Sequence, residues 1–90
     1  MNSEKNSKGR KTIANYSELG KLVAKTMMDK GISRKTLGDR LDITSPAISS
    51  IFLGNSKPSL TTLYRMHEAL GLDLEDLFAA IQKDGDKTSA

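Results

Sequence analysis

The sequence predicts an all-α protein, a compact five-helix bundle in a single domain. Three observations carry that expectation. Apolar residues recur three and four positions apart through most of the chain, the spacing that puts them on one face of a helix. Ser, Thr and Asp stand where helices would start, and Gly or Pro where they would stop. No segment alternates apolar and polar residues for long enough to make a strand.

The elements follow in order. A first helix is expected from Ser17, its N-cap, to Lys30, with Leu19, Leu22, Val23, Thr26 and Met27 as its inward stripe and Gly31 as its stop. Ser33 caps a second, ending at Leu41, with Leu37 and Leu41 on one face; Asp42 then tolerates the turn. Thr44 caps a third over Ser45–Leu53. Pro46 falls in its first turn, where no intrahelical donor is lost, and Ile48 and Ile51 face inward. After Gly54, Asn55 and Pro58, Ser59 caps a fourth helix carrying Leu60, Leu63, Met66 and Leu70, stopped by Gly71. Asp73 caps a fifth with Leu74, Leu77, Phe78 and Ile81. The domain is expected over residues 16–82, flanked by a disordered basic arm over 1–15 and a flexible tail over 83–90.

Composition narrows the chemistry. Ninety residues, 37% of them apolar, suffice for one core. The chain has no cysteine and one histidine, so neither thiolate chemistry nor a usual zinc site is expected. His67 lies on the apolar side of the fourth helix and reads as a packed, hydrogen-bonded side chain. Glu75 and Asp76 complement the dipole of the fifth helix. No nucleophile–base pair is apparent, so an enzyme is not expected, nor a cofactor. The polar N-terminus and the lack of a long apolar run point to a cytoplasmic protein without a membrane partner.

Charge is unevenly placed. Lys5, Lys8, Arg10 and Lys11 face only Glu4, and Lys30, Arg34, Lys35, Arg40 and Lys57 outnumber Asp39 and Asp42. Residues 65–76 are instead acidic, with Glu68, Asp73, Glu75 and Asp76 against Arg65. A basic end suits nucleic acid.

The run from Ser33 to Phe78 resembles the Cro/C1-type helix-turn-helix family, also called the XRE family. The resemblance rests on Ser33, Leu37, Gly38, Leu41, Ile43, Thr44, Ile48, Ile51, Gly54, Pro58-Ser59-Leu60, Leu70-Gly71, Leu74 and Leu77-Phe78. In that fold the third helix enters the major groove, and Gly38 permits its close approach to the second. The resemblance implies that Ser45, Pro46, Ala47, Ser49 and Ser50 read bases, with Thr44 capping that helix so that its start points outward. It implies that Arg34, where the family usually has glutamine, contacts the DNA backbone, that Asn55, Ser56 and Lys57 touch phosphate, and that the N-terminal arm wraps DNA as in some relatives. The implied partner is double-stranded DNA carrying a pseudo-palindromic operator, bound by a homodimer.

Two departures stand out. The reading face has no Arg, Lys, Asn or Gln for bidentate base contacts, so direct readout is expected to be weak and DNA shape or backbone contacts to matter more. Where relatives pair an arginine with a glutamate, this chain has Met27 and Phe52, predicting a thioether–aromatic contact in place of a buried ion pair. The alternative leaves Phe52 and Leu53 exposed as a partner surface. Leu72, Leu74, Leu77, Phe78 and Ile81 exceed what one last helix must bury and suggest the dimer contact. A sequence-specific transcriptional regulator, a dimeric repressor of the phage, mobile-element or restriction–modification type, is the leading expectation. An antitoxin binding a protein toxin, or an interaction module that has lost DNA reading, are the rivals.

Overall fold

The computed structural model describes residues 15–89, with side chains as far as Gly85; the residues of the expected arm before Asn15 lie outside the described part. The described residues form five α-helices and no strand: α1 Glu18–Lys30, α2 Arg34–Leu41, α3 Ser45–Phe52, α4 Leu60–Leu70 and α5 Leu74–Ser89.

Capping explains most of the boundaries. The hydroxyls of Ser17, Ser33, Thr44 and Ser59 each accept a hydrogen bond from a backbone N–H in the first turn of their helix, supplying an acceptor that the helix cannot provide for itself. Gly31 and Gly71 close α1 and α4 with left-handed backbone, φ 68° and 71°. Asp42 does the same after α2 with φ 59°, and is the non-glycine residue in that region among those described. Leu53, expected as the last residue of α3, is its C-cap.

α1 packs on α3, α4 and α5; α2 packs on α3 and α4; α4 packs on α5. Leu37, Leu41, Ile48, Met66, Leu70, Leu77 and Val23 are fully buried where these helices meet. Each such side chain contributes about 1.5–3 kcal/mol by leaving water, before chain entropy is set against it. Two basic residues lock α2 to α4 reciprocally. Arg40 of α2 donates to the Ala69 carbonyl at 3.3 Å, and Arg65 of α4 donates to the Leu41 carbonyl at 3.2 Å. Both acceptors lie in the last turns of their helices, where carbonyls lack intrahelical partners and a cation is favoured.

Two features of the C-terminal part stand beside the expectations. The boundary is expected at 82 with a flexible tail over 83–90; α5 is helical past 82, to Ser89. The reason lies across the bundle: the Asp84 carboxylate accepts from the backbone N–H of Glu18 at 2.8 Å and of Leu19 at 3.2 Å, the unsatisfied first turn of α1. The apolar surplus of the last helix is also smaller than expected. Leu77 is buried and Leu72, Leu74 and Ile81 pack against the core, so closing the bundle uses them; Phe78 stays 47% exposed.

Candidate nucleic-acid interface

α2, the turn at Asp42 and α3 form the helix-turn-helix. Gly38 sits at their crossing. A Cβ there would come 3.0 Å from the Ile43 carbonyl oxygen and 3.3 Å from Ile48 Cδ1, so the glycine sets how closely the two helices approach. Ile48, Ile51 and Phe52 are buried, which turns the other face of α3 outward. Thr44, Ser45 and Pro46 are exposed and Ala47, Ser49 and Ser50 half-buried. The start of α3 is poor in free donors, because Pro46 has no N–H and the Ala47 N–H is taken by the Thr44 hydroxyl at 3.3 Å.

Arg34, the first residue of α2, joins this face from the side. Its Nη1 donates to Ser49 Oγ at 2.6 Å, and its Nη2 reaches the Tyr16 hydroxyl at 3.5 Å. The guanidinium carbon stands 5.0 Å from the centroid of the Phe52 ring, within cation–π range. The other side of the cluster is Tyr16, whose ring centroid lies 5.2 Å from that of Phe52 at an interplanar angle of 44°. Among the described residues no carboxylate pairs with Arg34: the ion pairs are Lys21–Glu18, Lys35–Asp39 and Arg65–Asp42.

Asn55, Ser56 and Lys57 follow α3 and are exposed. The Ser50 carbonyl accepts from the N–H of Asn55 at 2.9 Å and of Ser56 at 3.4 Å, folding this loop back over the end of α3. Lys57 lies further round, on a crevice of about 290 Å³ shared with Tyr16, Ser17, Pro58, Ile81 and Asp84. The structure thus brings Arg34 and Ser49 into contact and folds Asn55 and Ser56 against Ser50, while Lys57 stands at the edge. Arg40, counted with the basic segment in the sequence, is engaged with α4 instead.

Met27 and Phe52 are both buried and line a second crevice, together with Ala24, Ile32 and Arg34. The reading of Phe52 as an exposed partner surface is therefore wrong; the residue is 3% exposed. Sequence reasoning missed Tyr16. Its signal was scarcity: the chain has two tyrosines and two phenylalanines, and one of each is placed around Arg34. His67 is half-buried, with Nδ1 at 2.6 Å from the Leu72 carbonyl oxygen. A carbonyl only accepts, so Nδ1 carries the proton there. Among the described residues no group of His, Cys, Asp or Glu is arranged to hold a metal ion, and no helix is long and apolar enough to cross a membrane.

Two short helices joined by a tight turn at Asp42, crossing closely at Gly38, define a helix-turn-helix domain. A family model described as Helix-turn-helix matches residues 23–77, and the chain belongs to that family, the Cro/C1-type or XRE group of DNA-binding regulators. A search of curated proteins gave no match.

Proposed function

We propose that this protein is a sequence-specific transcriptional repressor that binds a pseudo-palindromic operator as a homodimer in the cytoplasm. The observation that carries the DNA-reading part is Arg34: a cation with no carboxylate partner among the described residues, fixed beside the outward face of α3. α3 enters the major groove with Thr44, Ser45, Pro46, Ala47 and Ser50 toward the bases. Arg34, Asn55, Ser56 and Lys57 hold the phosphates on either side. Hydroxyls and a methyl discriminate bases less sharply than bidentate side chains, so groove shape supplies much of the preference.

The dimer part is supported by apolar side chains left uncovered on the two packed C-terminal helices: Leu60 and Tyr64 on α4 and Phe78 on α5. A second copy over them would set two reading helices about 34 Å apart, one turn of DNA. The same side chains favour a second reading, in which a different protein covers them, as in an antitoxin or an interaction module.

The test is NMR titration of the labelled protein with duplex from its own upstream region. Shifts gathered on Arg34, Thr44–Ser50 and Asn55–Lys57 are expected. Shifts confined to α4 and α5, or none, would contradict the reading and favour the protein-partner one.

A further inference from the structure

α3 ends in an aromatic side chain, and the guanidinium of Arg34 rests on it. Phe52 cannot yield: its ring is buried, and its backbone carbonyl accepts from the Ser17 N–H at 2.8 Å. Tyr16 backs it on the side of the α1 entrance. A guanidinium offers five N–H donors; among the described residues Ser49 and Tyr16 engage two of them, and the others can meet an anion.

We propose that Phe52 is a positioning residue for DNA binding, holding the Arg34 guanidinium toward a phosphodiester, with Ser49 as the guanidinium's hydrogen-bond anchor instead of a base reader. This rests on the DNA-binding reading above. An arginine already stacked and hydrogen-bonded loses less freedom when it takes a phosphate than a free one does. It also presents its planar fork in one orientation, which suits bidentate contact with phosphate oxygens. Ser49 Oγ accepts from Arg34 at 2.6 Å, which ties the side chain toward α2, and in this proposal base reading falls to Thr44, Ser45, Pro46, Ala47 and Ser50. A carboxylate at position 52 would neutralise the cation; a phenylalanine holds it without doing so.

The experiment compares wild type, Phe52→Leu, Arg34→Ala and the double variant on a mixed-sequence duplex across a salt series. Arg34→Ala is expected to lower the salt slope by about 1, the signature of one lost phosphate contact. Phe52→Leu is expected to weaken binding about two- to fivefold, and to have no further effect once Arg34 is alanine. An equal loss in both backgrounds would show that Phe52 acts only through the fold and would overturn the proposal. If thermal melting shows that Phe52→Leu does not fold, the wild type decides. Stacking predicts a ring-current shift of the Arg34 Nε–H resonance in the free protein; its absence overturns the proposal. Ser49→Ala is expected to weaken binding to all duplexes alike, and a changed base preference would restore Ser49 as a reader. A folded wild type that binds no duplex, with the ring-current shift intact, would remove the DNA-binding reading and this role with it, while leaving the stack itself standing.

Discussion

Replacing Gly20 with alanine tests the packing that aims α3. Gly20 is in the first turns of α1, and a Cβ there would overlap the carbonyl oxygen of Phe52 and come 2.9 Å from its Cα. The obstruction is backbone, which cannot rotate away. Helix propensity alone would make the change favourable by about 1 kcal/mol. Against that, overpacking costs about 1–3 kcal/mol. Pushing the helices apart also threatens the Ser17 N–H bond to the Phe52 carbonyl, 2.8 Å long, which contributes about 1 kcal/mol. The net loss is about 1–3 kcal/mol, and at about 4–8 °C per kcal/mol for a domain of this size the melting temperature falls by roughly 4–24 °C. Thermal unfolding followed by circular dichroism reads this directly. Gly85→Ala is the control: nothing lies within 4 Å of a Cβ there, so the same substitution should be neutral or stabilise by up to about 1 kcal/mol. A Gly20→Ala protein as stable as wild type would refute the close approach of α1 to the end of α3.

Other perturbations separate local from long-range effects. Asp84→Ala removes the acceptor of two N–H groups at the start of α1 and should cost about 0.5–2 kcal/mol, with hydrogen exchange rising first in the last turns of α5; unchanged exchange would contradict the cap. Lys57→Ala should weaken binding to every duplex by a similar factor and flatten the salt slope by about 1. Phe78→Asp should shift the protein toward monomer in sedimentation and reduce cooperative DNA binding while the fold survives, since that side chain is half exposed. Tyr64 should titrate above its ordinary value of 10.0, because a hydrogen bond to Glu68 holds its proton and the nearby carboxylate opposes a phenolate. Glu68→Gln should bring the titration back down, followed by ultraviolet absorbance.

What the sequence made legible was local. Ser17, Ser33, Thr44 and Ser59 announce helix starts because a cap and its N–H partner lie three residues apart. Gly31 and Gly71 announce stops because a left-handed residue is needed there. Gly38 was legible through its place in the motif. The rest depends on contacts made through space. Asp84 caps a helix 65 and 66 positions away, and nothing in the polar run around it marks it as anything but tail. Arg40 and Arg34 look alike as charges, yet one is engaged with the end of α4 and the other is stacked beside α3. The Met27 and Phe52 departure was visible as a missing ion pair, and both side chains are indeed buried. The cation stacked on Phe52 comes from α2, a partner that sequence spacing could not supply. Gly20 escaped notice because a glycine inside a helix shows its purpose only when the opposing backbone is known.

The central claim is that this helix-turn-helix reads a DNA sequence. The most direct test is competition binding: the purified protein on labelled DNA from its own upstream region, at near-physiological salt, against unlabelled specific and scrambled duplexes. The account predicts that the specific duplex competes far better than the scrambled one, and that affinity falls steeply as salt rises. Equal competition by both duplexes would contradict it.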